Sequence, residues 1–246
     1  MLEIRSLSQY YGEFCALKDI SFDLGENEIL GIIGQNGAGK TTLINSITGL
    51  GGKALGTVRL DGTDILGKRP DTIARLGVAR TFQNLRIFRG MTVREHLLVA
   101  QNRKLSPGRK LLPNFRNTED AGVDALLEFF DILRFRDDDA EGLSYGDRRR
   151  VEMARALAGS PKLLILDEPG AGMNEQESEV LAAQIREIRA RFHTAIILIE
   201  HDMSIIRACC ERIIVLDHGQ KIAEGSFEQI AADREVQRAY LGEDDA

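Results

Sequence analysis

The clearest chemistry in the sequence is carried by nine consecutive residues, Gly34-Gln35-Asn36-Gly37-Ala38-Gly39-Lys40-Thr41-Thr42. They match the phosphate-binding pattern Gly-x-x-x-x-Gly-Lys-[Ser/Thr]. Glycines at these places let successive backbone N–H groups turn inward around an anion, and a helix starting behind them adds the partial positive charge of its N-terminus. Lys40 would then bridge the β- and γ-phosphates of a nucleotide, and the Thr41 hydroxyl would coordinate Mg²⁺. A second cluster is the acid pair Asp167-Glu168, which follows the apolar run Leu163-Leu164-Ile165-Leu166. Adjacent residues at a strand end point to opposite faces, so Asp167 can hold the metal's shell while Glu168 faces the place of a hydrolytic water. Acids that end a strand are often only solvated turn residues; the phosphate loop is what gives this pair a task.

Such a loop needs a strand before it and a helix after it, and both are legible. Glu28-Ile29-Leu30-Gly31-Ile32-Ile33 precedes it as an apolar run, and Leu43-Ile44-Asn45-Ser46-Ile47 follows with helical periodicity. Residues 162–167 and 194–200 are further runs of the kind that a parallel sheet covered on both faces requires. Between them Leu181, Ile185, Ile188 and Phe192 recur at helical spacing behind a candidate N-cap, Asn174, which completes a βαβ unit. Residues 2–4, 20–24 and 57–60 instead alternate apolar with polar, which predicts an antiparallel sheet with one wet face. From about Met91 to Gly159 no convincing strand appears, so a helical lobe inserted into an α/β core is expected. Within it, residues 118–133 carry Leu126, Phe129, Phe130 and Leu133 as an apolar side, and Pro107, Gly108 and Pro113 mark residues 106–117 as an irregular surface loop.

The composition sets the frame. The chain has 246 residues, 43% of them apolar and 28% charged, enough for one globular unit with a sizeable core, which excludes disordered and fibrous classes. With 38 acids against 32 bases the formal charge is −6, which disfavours a general attraction to nucleic acid or anionic lipid. Cys15, Cys209 and Cys210 are too few and too badly spaced for a disulfide framework or a zinc site, and the adjacent pair reads as two small core residues. A reducing compartment fits this usage. No apolar run approaches the 18 residues of a membrane span, and Met1-Leu2-Glu3-Ile4-Arg5 lacks the order of a signal peptide. Membrane association would therefore come through a partner.

Between the phosphate loop and the acids lies Leu143-Ser144-Tyr145-Gly146-Asp147-Arg148-Arg149-Arg150-Val151-Glu152-Met153-Ala154-Arg155-Ala156-Leu157. With this segment the sequence resembles the ATP-binding cassette (ABC) proteins over essentially its whole length. The resemblance implies an α/β P-loop NTPase (RecA-like) core with a mostly parallel sheet, an N-terminal antiparallel β subdomain and an inserted α-helical subdomain. It would form a single nucleotide-binding domain over residues 1–246, with the core at about 1–84 and 160–246 and the helical subdomain at about 91–159. In that family the Ser144 and Gly146 positions of the signature face the γ-phosphate of an ATP bound to the other protomer of a head-to-tail dimer. Gln83, in Arg80-Thr81-Phe82-Gln83-Asn84, stands at the glutamine that contacts Mg²⁺, so the implied metal set is Thr41, Gln83 and Asp167. His201, after Ile199-Glu200, matches the histidine that bonds the γ-phosphate and holds the attacking water; Glu168, His201 and Lys40 form the implied catalytic set. Tyr11 matches the position that stacks on adenine, with Tyr10 beside it able to take the role.

Some residues depart from the common family pattern. Tyr145 replaces the third-position glycine of the signature and Asp147 its glutamine, while Ser144 and Gly146 are kept. In Gly170-Ala171-Gly172-Met173-Asn174, Asn174 stands where many cassettes carry Asp, and Glu175 stands where a proline is common. Arg80 to Phe88, Leu198-Ile199-Glu200-His201-Asp202-Met203 and the terminal Ala239-Tyr240-Leu241-Gly242-Glu243 are together similar to the ATPase subunits of branched-chain amino acid importers. Importers of urea or short amides, and the cassette of lipopolysaccharide export, share parts of this. The resemblance implies ATP and Mg²⁺ as cofactors, a second ABC subunit (another copy or a sister ATPase), integral membrane permease subunits and a solute-binding protein in the full system, with no nucleic acid. The chain would work in the cytoplasm, peripheral on the inner face of the cell membrane. The rival reading is a soluble cassette in an assembly or nucleic-acid process, which the acidic balance and lack of a basic arm oppose.

Overall fold

The computed structural model describes residues 1–83, 85–101 and 115–241. Strands β1 (Leu2–Tyr11), β2 (Phe14–Leu24), β4 (Lys53–Leu60) and β5 (Thr63–Asp64) form the predicted antiparallel sheet, in the order β2-β1-β4-β5. Leu2 and Ile4 are buried with Glu3 and Arg5 exposed between and after them, as the alternation requires. The next buried apolar residue is Leu7, not residue 6, because Ser6 sits at φ 47° in a bulge that shifts the register by one.

The second sheet has six strands in the order β10-β9-β3-β8-β7-β6. These are β3 (Ile29–Ile33), β6 (Val78–Arg80), β7 (Leu163–Asp167), β8 (Ala195–Ile199), β9 (Arg212–Asp217) and β10 (Gln220–Gly225). All neighbours are parallel except the edge strand β10. Every residue of β3, β7 and β8 is buried, since alternate side chains enter two different cores. Ile29, Leu164, Leu166, Ile196 and Leu198 face helices α5 (Tyr145–Ala158) and α6 (Glu175–Phe192). Leu30, Ile32, Leu163, Ile165 and Ile197 meet the antiparallel sheet and α1 (Lys40–Thr48). Two-sided burial is why these strands read as continuous apolar runs.

Asn174 caps α6 in a full capping box with Glu177, an arrangement worth about 1 kcal/mol. Helices α3 (Val93–Gln101) and α4 (Phe115–Phe129) precede α5, and no ladder strand occurs between them among the described residues. The boundaries of α4 differ from the sequence reading. Of the expected loop 106–117, residues 106–114 lie outside the described residues and 115–117 already belong to the helix. At the other end the helix stops at Phe129, because Asp131 adopts φ 55° and turns the chain out. Leu126 and Phe130 are buried, whereas Leu133 opens a separate 3₁₀ turn and is exposed. Helices α2 (Pro70–Leu76), α7 (Met203–Cys209), α8 (Phe227–Ala232) and α9 (Arg234–Leu241) complete the described chain. Cys209 is buried and Cys210 half-buried, and both pack in the core. Among the described residues no helix is long and apolar enough to cross a membrane.

Candidate functional site

The carboxyl ends of β3, β7 and β8 lie side by side, and each runs into one of the predicted motifs. In an open parallel sheet that edge is where ligands bind. After β3 the chain turns sharply at Gly34, where a Cβ would stand 2.3 Å from Leu216 O and 2.9 Å from the Ala38 Cβ. Only glycine fits there. Gly37 and Gly39 have φ 86° and 102°, and Gly39 caps α1 without any side-chain bond to the helix's first N–H groups. Lys40 is almost fully buried and folds back along the loop, donating from Nζ to Gly34 O (2.6 Å) and Gln35 O (2.9 Å). Burial pushes the Lys40 ammonium below its ordinary range, against the pull of Glu168 and Asp167. Thr41 is exposed at the helix start.

Glu168 follows β7 at φ 49°, its N–H donating to Ile199 O of β8 (2.9 Å). This left-handed turn swings its carboxylate towards two of the residues expected to work with it. Gln83 Nε2 donates to Oε2 (2.7 Å), and His201 Nε2 lies 2.9 Å from Oε1. The structure thus joins Gln83, Glu168 and His201 into one chain of hydrogen bonds. Asp167, one residue earlier, points the other way and is buried, with Oδ2 2.7 Å from Arg80 Nη2. Arg80 also donates to Asn45 Oδ1 of α1 (2.7 Å), tying the acid to the helix behind the loop. Breaking such a buried pair costs on the order of 3–5 kcal/mol. The oxygens of Thr41, Gln83 and Asp167 suit a hard divalent cation, and Asp167 keeps Oδ1 outside the Arg80 pair.

A cavity of about 430 Å³ opens over the loop, walled by residues 36–42, Gln83 and Glu168 on one side and by Phe14, Cys15, Ala16, His218 and Gly219 on the other. Its aromatic wall is Phe14, 69% exposed, rather than Tyr11 or Tyr10. Tyr11 pairs with Phe14 across the hairpin but leans along Gly52 of the neighbouring segment. Gln35 lines an adjacent cavity and donates to Ala239 O of α9. Ser144 and Gly146 are not among the residues that wall the cavity over the loop. Ser144 caps α5, accepting from Asp147 N (3.2 Å) and donating to Asp147 Oδ2 (2.6 Å), so the departure from the common signature holds the serine in place. Nothing lies within 4 Å of a Cβ placed on Gly146.

Several residues around the site have no role assigned to them by the sequence motifs. Besides Arg80 these are Phe14, Glu200 and the buried pair Arg149 and Glu152. Glu200 accepts from Gly170 N (2.5 Å) and His201 N (3.1 Å), and burial raises its carboxyl above the usual range. The signal for Arg149 and Glu152 was present: charges one turn apart on the same face as Met153 and Ala156 cannot all be solvated. A second, apolar groove of about 270 Å³ runs beside the Gln83 segment, lined by Leu50, Ile73, Phe82, Phe88, Val99 and Arg155 among others.

Two family models match the chain. Residues 17–171 match the model described as ABC transporter, and residues 220–246 that of the branched-chain amino acid ATP-binding cassette transporter. The high-affinity branched-chain amino acid transport ATP-binding protein LivG of Salmonella typhimurium is 42% identical, over 99% of this chain and 98% of its own length. The corresponding BraF of Pseudomonas aeruginosa is 39% identical over the same shares. The lipopolysaccharide export system ATP-binding protein LptB of Haemophilus influenzae is 35% identical, again over 99% and 98%. Among solved structures, a nucleotide-free ATP-binding cassette from an ABC transporter superposes with a TM-score of 0.85 at 33% identity, covering 99% of both chains.

Proposed function

Because the chain belongs to the ABC transporter family of ATPases, we propose that it is the ATP-hydrolysing subunit of an importer of branched-chain amino acids or similar small polar solutes. The observation that carries this reading is the hydrogen-bonded run Gln83–Glu168–His201 at the mouth of the phosphate-loop cavity. Lys40 and the backbone N–H groups of the loop hold the phosphates of ATP. Thr41, Gln83 and Asp167 would hold Mg²⁺, which when bound neutralises charge on the transferring phosphoryl group. Glu168 takes the proton of the attacking water as the bond to the β-phosphate breaks, and His201 steadies the γ-phosphate. Both oxygens of Glu168 are engaged in this structure, so turning Gln83 and His201 towards the nucleotide is what frees the base.

The signature fits a site other than its own. Ser144 and Gly146 present an exposed helix start outside the cavity over the chain's own loop, which supports a head-to-tail dimer with a second cassette. The apolar groove beside Gln83 suits a permease segment, and the chain would sit peripherally on the inner face of the membrane through it. The import reading rests on the relatives LivG and BraF and on the C-terminal match at residues 220–246; the export reading has the more distant LptB. Substituting Glu168→Gln tests the chemistry: ATP binding persists and turnover falls at least about tenfold. Turnover at the wild-type rate would remove Glu168 from its role. Identifying the membrane proteins that co-purify with the native complex tests the direction, and an exporter-type permease would overturn import.

A further inference from the structure

A row of buried charge on α5 is left unused by this mechanism. Arg149 and Glu152 are 2% and 0% exposed and lie one turn apart, with Nη1 3.2 Å from Oε2. Arg149 donates to three carbonyls on two other segments: Nη1 to Phe82 O (3.0 Å), Nη2 to Glu168 O and Nε to Pro169 O (3.4 Å). Glu152 Oε1 accepts from Phe82 N (3.3 Å). Phe82 precedes Gln83, so one side-chain pair grips the backbone on both sides of the Gln83–Glu168 hydrogen bond. The grip falls where the backbone has little freedom, since Glu168 is held at φ 49°.

Packing alone does not call for this pair, because apolar residues of the same volume would fill the space without desolvating two charges. What the pair provides is geometry. A planar guanidinium reaches three divergent carbonyls at once, which neither Lys nor Gln can do. The N-terminus of the same helix carries Ser144 and Gly146, with Ser144 about 7.5 Å from Arg149 at the usual rise per residue. No proline interrupts α5 between them. A displacement of the helix start is therefore delivered to the Phe82 and Glu168 carbonyls.

We infer that Arg149, fixed by Glu152, is a positioning residue that carries the state of the partner's nucleotide, met at Ser144 and Gly146, to Gln83 and Glu168 of its own chain. The two hydrolysis sites are thereby made cooperative. This rests on the head-to-tail dimer proposed above.

The test uses the native transporter complex and two variants. Arg149→Lys keeps the charge but loses the fork; the double variant Arg149→Met with Glu152→Gln removes both charges together and leaves Arg155, whose Nη2 lies 3.7 Å from Glu152 Oε1, with its bond to Arg86 O. Both should fold, bind ATP with KM within roughly twofold of wild type, lose at least about tenfold in kcat, and show a Hill coefficient for ATP reduced to about 1. A folded variant that keeps the wild-type Hill coefficient overturns the inference even if kcat falls, because loosening Glu168 locally would slow both sites alike. A wild-type Hill coefficient of about 1 also overturns it. Failure of the Glu168→Gln chain to dimerise with ATP removes the dimer itself and is read without any Arg149 variant.

Discussion

Phe14 and Tyr11 are register partners across a tight hairpin, yet only Phe14 looks onto the phosphate-loop cavity. A purine base has a π-face that an exposed ring at the cavity wall can stack on, a contact worth about 1–3 kcal/mol. Phe14→Ala should therefore raise the dissociation constant for ATP by at least about fivefold, and Tyr11→Ala should raise it less. Equilibrium titration with a fluorescent ATP analogue decides between them, and a larger loss for Tyr11→Ala would return the role to the family position. Glu200 yields a second expectation. Burial favours its neutral form, so its folded-state pKa lies above the ordinary 4.5, and the folded chain holds a proton that the unfolded chain has released. Stability then falls as pH rises from that value through the raised pKa. Glu200→Gln lacks this slope, so its urea midpoint should gain on wild type as pH is raised from 4.5. Parallel curves for the two proteins would show that the backbone donors Gly170 and His201 have already compensated the burial.

At the scale of elements, two glycines with opposite surroundings separate folding from function. Gly34→Ala drives a methyl into Leu216 O and should destabilise the chain and abolish ATP binding together. Gly146→Ala meets nothing within 4 Å in the single chain, and alanine in a helix gains up to about 1 kcal/mol over glycine. Its melting temperature should hold or rise, while ATP-driven dimerisation, followed by light scattering in a Glu168→Gln background, is lost. Unchanged dimerisation would remove Gly146 from the nucleotide interface. Which elements could be read in advance follows from the same physics. The strands β3, β7 and β8 were legible because two-sided burial leaves continuous apolar runs, and the candidate N-cap Asn174 marked the start of α6. The end of α4 was not, because Asp131 at φ 55° breaks a helix that the pattern Leu126, Phe129, Phe130, Leu133 continues. The strand β6 has three residues, too few for any period to show. Around the site the motifs delivered Lys40, Gln83, Glu168 and His201, while the partners of Arg80 and Arg149, 87 and 19 positions away, are not named by local spacing.

At the scale of the molecule, the exposed side chains Leu50, Phe88 and Val99 line one apolar groove alongside the segment that carries Gln83. An exposed apolar groove of this kind marks a place where a partner can dock. Phe88→Glu puts a charge on its rim, at a side chain 44% exposed in the single chain. ATP binding by the purified chain should be unaffected, and recovery of the chain with the membrane fraction should drop sharply. Undiminished recovery would place the permease contact on another face.

The strand pairing holds one more consequence. The chain leaves the six-stranded sheet at β6 and, after more than eighty residues that include α3, α4 and α5, returns at β7, the strand directly beside it, with Val78 opposite Leu163. The return is pinned at its first step by Lys162 N and Leu163 N, both donating to Gly77 O. Because the pair is parallel, the exit at Arg80, opposite Ile165, and the entry at Leu163 lie at opposite ends of this short pair, about 8 Å apart. A segment whose two ends lie this close can change in length without moving the register of any strand. The carboxyl edge of the sheet can then stay constant while this segment varies, α5 excepted, whose Arg149 and Glu152 hold Phe82 and Glu168.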